Sequence, residues 1–212
     1  MREKEIATSI LFVRHGQTDF PLDRIYCDDA EDPALNQNGV AQANRAAAYL
    51  APIPLAAIYA SPCQRTLATA NAVAAALERP NVRVDVRPTL MERRFGIWEG
   101  LFFHEIESQY PEEYRRWKSD NSGYKPQGGE SIFDMLARIK PTLEEIIAKH
   151  KGETVAVVGH VGPIRAMIAD ALCLPLTEYR RIAIDYASIS QINYGRKQNN
   201  LIFCNMADRR LG

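Results

Sequence analysis

The sequence predicts an α/β fold: a single domain in three layers, α/β/α, with a mostly parallel central sheet. Two observations carry that prediction. Strand-like and helix-like patterns alternate along the chain. The apolar runs at residues 9–13 and 154–158 are continuous rather than alternating, as in parallel strands covered on both faces. A third observation concerns organisation. No linker, repeat or low-complexity tract divides the 212 residues, so one domain with a helical insert at about residues 100–150 is expected.

The elements follow in order. Residues 9–13 form the first strand, punctuated by Gly16. A polar loop over 19–38 holds Pro21, Asp28, Asp29, Asp32 and Pro33. An Ala-rich helix runs over about 39–50, and Pro52 and Pro54 close it. Residues 57–60 read as a second strand. Ser61 and Pro62 then open a helix as N-cap and first residue, and it runs through Arg65, Thr69 and Val73 to about Leu77. Val82, Val84 and Val86 alternate with polar residues and predict a third strand. Segment 102–118 is helical in pattern but solvated, with Glu105, Glu107, Glu112, Glu113, Arg115 and Arg116. Ile132, Leu136, Ile139, Leu143 and Ile146 recur at helical spacing, in a helix that Pro141 should kink. The strand at 154–158 ends in Gly159 and His160, and a helix over 163–172 follows. Strands near 188–194 and 201–204 close the pattern.

Composition excludes several function classes. Lys plus Arg equals Asp plus Glu at 26 each, so no net field favours nucleic acid or an anionic membrane. Any anion site must be local. The cysteines Cys27, Cys63, Cys173 and Cys204 lack CxxC spacing, which argues against zinc and against a disulfide scaffold. They read as reduced thiols, and a cytoplasmic location is expected. The early apolar run is too short for a signal peptide, and no stretch approaches the roughly 20 residues of a membrane span.

Three strand ends bring chemistry to one edge of the sheet. The first delivers Arg14 and His15, at the carboxyl end where open α/β sheets hold ligands. The second delivers Arg65 in the first turn of a helix, where free amides also favour anions. The third delivers His160, followed by Gly162 and another helix start. Taken singly, Arg65 reads as a solvated helix residue and His160 as a satisfied core histidine. The repetition points instead to a phosphoryl site. Guanidiniums grip phosphate oxygens bidentately, and a neutral imidazole nitrogen can attack phosphorus.

The motifs carry a family resemblance. Arg14-His15-Gly16-Gln17-Thr18, Ser61-Pro62-Cys63-Gln64-Arg65-Thr66 and Gly159-His160-Val161-Gly162-Pro163-Ile164-Arg165 resemble the three signatures of the histidine phosphatase superfamily, the phosphoglycerate-mutase-like proteins. Asp32-Pro33-Ala34-Leu35, the run from Met91 through Glu92 to Gly100, and Gly128-Gly129-Glu130-Ser131 resemble supporting segments. The resemblance implies a phosphoglycerate-mutase-like fold and a metal-independent phosphomonoesterase. It makes His15 the nucleophile that becomes phosphohistidine. Arg14, Arg65 and His160 would bind the transferring phosphoryl group, with Gly16, Thr18 and Arg24 as further phosphate-binding residues. Glu92 would protonate the leaving oxygen and later activate water, with Glu99 as the rival acid. A dianionic phosphate beside Glu92 favours its protonated form, and nearby guanidiniums favour neutral His15. Glu130 would hold a loop or cap the helix beginning at Ser131.

One position departs from the family pattern. Where the family usually places Asn, six residues after the nucleophile, this chain has Pro21, which offers no donor. Arg24 is the candidate to serve that loop. The resemblance also leaves three functions to weigh: hydrolase, phosphoglycerate mutase, and a catalytically weak phosphate-recognition protein. A short insert between Gly100 and Gly128 and a short polar run after Cys204 favour the hydrolase. The expected partner is a small phosphorylated substrate, with no metal, cofactor, nucleic acid or membrane; a homodimer is compatible with the reading.

Overall fold

The computed structural model describes residues 7–26, 31–77, 79 and 81–207. At its centre, β1 (Thr8–Arg14) pairs in parallel with β4 (Thr154–Gly159), with Arg14 opposite Gly159. The residues just beyond those ends, His15 and His160, therefore finish side by side. β2 (Leu55–Ala60) flanks β4 in parallel, and β3 (Val84–Val86) continues the sheet outward. On the other side, β5 (Ile189–Tyr194) and β6 (Asn199–Met206) add antiparallel strands, giving the order β3-β2-β4-β1-β5-β6. The sheet is mostly parallel, as the apolar runs predicted.

Alternate residues of β1 feed opposite faces. Ile10 and Phe12 pack with α5 (Ile132–Lys149) and α6 (Val161–Ala171). Leu11 and Val13 pack with α1 (Gln37–Leu50) and α2 (Gln64–Ala76). The chain leaving β1 thus turns to one face and the chain leaving β4 to the other. Divergence of neighbouring connections opens a crevice at the carboxyl edge, and that is where a ligand can sit.

Local sequence explains most boundaries. Asn36 caps α1, its side chain accepting from the Gly39 amide at 2.8 Å. Ser131 and Asp134 form a reciprocal capping box at the start of α5, so the cap is Ser131 rather than Glu130. α5 continues without interruption through Pro141. The start of α2 differs from expectation. Ser61 is not its N-cap: the helix begins at Gln64, and the Gln64 amide donates to Asp32 Oδ2 at 2.8 Å. The loop's carboxylate takes the capping role, and Ser61 Oγ is engaged by His160.

Segment 102–118 also differs. It is two helices, α3 (Phe103–Gln109) and α4 (Pro111–Ser119), separated at Tyr110. Proline disfavours helical backbone in the residue before it, which accounts for the break. Nor is the segment solvated all round: Ile106 and Trp117 are buried with Trp98 and Ile25 in a separate aromatic-rich cluster. Among the described residues no helix is long and apolar enough to cross a membrane. Cys63, Cys173 and Cys204 are free thiols, and Cys27 lies outside the described residues.

Candidate active site

The site grows from the β1 terminus. His15 is 3% exposed, and its Nδ1 lies 2.8 Å from the Gly16 carbonyl. A carbonyl only accepts, so Nδ1 carries the proton and Nε2 keeps its lone pair. The Gly16 N–H donates to Thr69 Oγ1 at 3.1 Å. Its carbonyl fixes the orientation of the His15 ring. The position must be glycine because a Cβ there would strike the backbone of Gly39.

Arg14 lies with its guanidinium carbon 3.8 Å from the centre of the Tyr186 ring, and its Nη1 donates to the Ile184 carbonyl at 2.8 Å. Its Nε is buried and makes no hydrogen bond among the described residues. A buried charged donor without a partner marks a place where an acceptor is due.

Arg65 is fully buried. It stacks on Tyr26 at 4.3 Å, pairs with Asp32 at 3.3 Å and donates from Nη2 to His160 Nδ1 at 3.3 Å. Arginine has no acceptor, so His160 Nδ1 is the acceptor and its Nε2–H donates to Ser61 Oγ at 2.8 Å. The His15 and His160 rings stand edge to face at 5.4 Å.

Both imidazoles are held well below the ordinary histidine value. For His15 burial is the main cause, followed by Arg65 and Arg14; for His160 it is burial, then Arg65. His15 is thus neutral at physiological pH. There is a consequence for stability. Unfolded imidazoles take protons near pH 6.5, so below that pH the unfolded state binds more protons than the folded one. The stability contribution is complete above about pH 6.5 and is lost as pH falls, by up to about 1.4 kcal/mol per pH unit for each ring. Thermal unfolding followed between pH 7 and pH 5 should show a midpoint that drops with acidity, and His160→Gln should flatten that slope.

Glu92 enters from the far side of the crevice. Its Oε1 accepts from the Arg93 amide at 2.9 Å, and its Oε2 accepts from the Gly162 amide at 3.2 Å. Gly162 allows that approach, because a Cβ would run into the carboxylate. Glu99 is tied to its own turn: its Oε1 accepts from the Phe95 and Gly96 amides at 2.9 and 3.1 Å. Behind Glu92 stands a residue that motif reading did not single out. Arg138 donates to the carbonyls of Thr89, Met91 and Glu92 and pairs with both oxygens of Glu130. Burial alone would push the Glu130 carboxyl up, but Arg138 and the Arg94 amide hold it below its ordinary value. Glu130 therefore holds the loop that carries Glu92.

The remaining candidates lie at the margin. Thr18 is buried, and its hydroxyl shares a 3.1 Å hydrogen bond with the Tyr26 hydroxyl, bracing the ring under Arg65. Arg24 lines the cavity, but its Nε donates to Gly100 O at 2.7 Å and its Nη2 pairs with Glu31 at 2.9 Å. It ties the 21–26 loop to the segment after Trp98. A cavity of about 430 Å³ is lined by Arg14, Tyr26, Glu92 and Tyr186, together with Pro21 and Leu22; His15, Arg65 and His160 are buried and do not line it. Helices α3 and α4 do not line it. Tyr26 and Tyr186 escaped sequence reading because an isolated tyrosine in a loop has no spacing to betray it. Among the described residues no group of three His, Cys, Asp or Glu side chains is arranged to hold a metal ion.

Comparison with known proteins places this geometry. The family model of the histidine phosphatase superfamily, branch 1, matches residues 10–207. The chain is 33% identical over 198 residues to phosphoserine phosphatase 1 of Hydrogenobacter thermophilus, covering 93% of this chain and 92% of that protein. It is 41% identical over 184 residues to a bifunctional protein of Mycobacterium tuberculosis, covering 86% of this chain and 49% of that protein. The chain thus spans about half the length of the latter and nearly all of the former. Among solved structures, a mycobacterial glucosyl-3-phosphoglycerate phosphatase superposes with a TM-score of 0.83 at 27% identity, over 95% of this chain and 100% of that one. The phosphoglycerate-mutase-like fold expected from the motifs is the fold observed.

Proposed function

Because the chain belongs to the histidine phosphatase superfamily, branch 1, we propose that it is a metal-independent phosphomonoesterase acting on a small phosphorylated metabolite. His15 carries the phosphoryl group between that substrate and water. The observation that carries this reading is the His15 tautomer: Nδ1–H is fixed on Gly16, so a neutral Nε2 lone pair stands beside the buried guanidinium of Arg65 and the half-buried one of Arg14.

In the first step Nε2 attacks phosphorus and the phosphorus–oxygen ester bond breaks. The electron pair leaves on the alcohol oxygen, which takes the proton of the Glu92 carboxylic acid. Arg14 and Arg65 stabilise the charge spread over the equatorial oxygens. In the second step water attacks the phosphohistidine, Glu92 takes its proton, and the phosphorus–nitrogen bond breaks to restore Nε2. The similarity to a phosphoserine phosphatase and a glucosyl-3-phosphoglycerate phosphatase favours hydrolysis over isomerisation. A cavity of about 430 Å³ suits a small metabolite.

Rapid quenching into alkali during turnover of a phosphorus-labelled ester should trap label on the peptide containing His15, stable to base and labile to acid. The rate should be unchanged in EDTA. Label on a serine or aspartate, or none while turnover continues, would overturn the mechanism. Isomerised product outpacing released phosphate would replace the hydrolase by a mutase.

A further inference from the structure

The cavity that Arg14 and Glu92 enter offers little to a hydroxyl-rich ligand. Among the described residues its lining holds no Ser, Thr, Asn, Gln or Asp side chain. The Tyr26 hydroxyl is already shared with Thr18 at 3.1 Å. Arg24 is held by Gly100 and Glu31, and Arg93 donates to the carbonyls of Glu130, Asn121 and Tyr124. Both lie against rings, Arg24 at 5.3 Å over Phe20 and Arg93 at 4.8 Å over Phe95. Arg165 donates its Nε to the Ile182 carbonyl, and Arg180 rests over Trp117. A guanidinium face is weakly hydrated and packs flat on planar apolar groups, so these arginines do not bar an apolar ligand.

What the lining does present is hydrocarbon. Phe20, Pro21, Leu22, Phe95 and Val161 share the cavity with Arg14 and Glu92. Leu22 is 84% exposed, and Pro21 is exposed as well. A single exposed leucine is ordinary, but this one stands in the cavity that holds the proposed acid. The loop that carries it is also held in place. The Arg24 amide donates to the Pro21 carbonyl at 3.3 Å, so the one polar group of Pro21 is already engaged. The Ile25 amide donates to the Leu101 carbonyl and the Phe103 amide to the Asp23 carbonyl, each at 2.9 Å. Phe20 stacks on Tyr26 at 4.1 Å. An apolar surface fixed in advance costs little ordering when a ligand covers it.

We propose that Pro21 and Leu22 are specificity-determining residues for the leaving group, and that the substrate is a phosphate monoester with an apolar alkyl or aryl alcohol portion. The inference rests on the phosphomonoesterase reading above and narrows its substrate class. Covering this loop removes hydrocarbon from water, worth about fourfold in binding for each fully buried methylene. A polyol in the same place would give up hydrogen bonds to water and find few in return. The position where the family pattern carries asparagine thus contributes hydrocarbon instead of a donor.

The test uses the full chain with ethyl, butyl and hexyl phosphate, sorbitol 6-phosphate as the hydroxylated counterpart of hexyl phosphate, and p-nitrophenyl phosphate. The alkyl esters release alcohols of nearly equal acidity, so differences among them report contacts rather than chemistry. From ethyl to hexyl phosphate kcat/KM should rise by roughly ten- to hundredfold, as partial burial of the added methylenes requires. Sorbitol 6-phosphate should fall below hexyl phosphate by at least about tenfold. Leu22 is exposed enough to be changed without disturbing the core, and Leu22→Ser should lower the hexyl-to-ethyl ratio about three- to tenfold, through KM more than kcat. Pro21→Asn should lower the same ratio and narrow the gap between hexyl phosphate and sorbitol 6-phosphate. A loss of ratio in at least one of the two variants upholds the assignment. No preference for hexyl over ethyl phosphate, or equal use of sorbitol 6-phosphate, with p-nitrophenyl phosphate turned over, overturns the apolar assignment and leaves the phosphatase reading standing. A preference that survives both variants places leaving-group recognition elsewhere and also overturns it. Hydrolysis of none of the esters, p-nitrophenyl phosphate included, overturns both.

Discussion

His15→Ala is expected to lower kcat toward p-nitrophenyl phosphate by roughly five orders of magnitude, the scale of losing a nucleophile that works with its neighbours as a unit. No nearby group stands ready to replace it. His160 has its Nδ1 lone pair on Arg65 and its Nε2–H on Ser61, so it presents no free nitrogen to phosphorus. The loss should appear in a single-turnover measurement, with far-UV circular dichroism showing that the fold persists. A variant retaining more than a few per cent of the parent rate would remove His15 from the chemistry and require another nucleophile.

Glu92→Gln should separate esters by leaving group. For an alkyl phosphate, whose departing alkoxide needs a proton, the fall in kcat should be about 10²- to 10⁴-fold. For p-nitrophenyl phosphate it should be less than about tenfold, because nitrophenolate departs without protonation. Glutamine keeps the size of the side chain and still accepts from one of the two amides that hold it, Arg93 and Gly162. Equal losses for both esters would assign Glu92 to positioning. Glu99 is poorly placed to take over as the acid, since one of its oxygens already accepts from two backbone amides of its own turn.

How much of this could be read from the chain alone divides along physical lines. The strand ends were legible because a strand, a glycine and a helix start are local signals, and Arg14, His15, Arg65 and His160 lie within a residue or two of them. The parallel register of β1 with β4 then brings both histidines together. What stayed hidden depends on partners distant in sequence. Asp32 caps a helix that begins at Gln64, and Arg138 holds the backbone of Glu92 from α5. Ser61, which resembles a cap by spacing, is engaged by a histidine 99 residues away. Periodicity cannot report such pairings. The break at Tyr110 was the opposite case: Pro111 is a local signal, and the helical charge pattern across it outweighed that signal in the reading.

The glycine at the end of β1 has a consequence for how mutational surveys of this chain should be interpreted. Gly16 and Gly39 come from different elements, yet a side chain at Gly16 would meet the backbone of Gly39, and one at Gly39 would meet the backbone of Gln17. Each hydrogen is complementary to the other segment's main chain, so a shrinking change at one site cannot compensate for growth at the other. There is nothing smaller than glycine to offer. The two positions therefore behave as one locus with a single permitted state, and no ordering of single steps leads out of it. An alanine scan would score both as inactivating, with losses rivalling that of His15, although neither residue offers a side chain to the substrate. Abundance of folded protein, measured alongside turnover for each variant, would assign those losses to the meeting of two backbones rather than to chemistry at phosphorus.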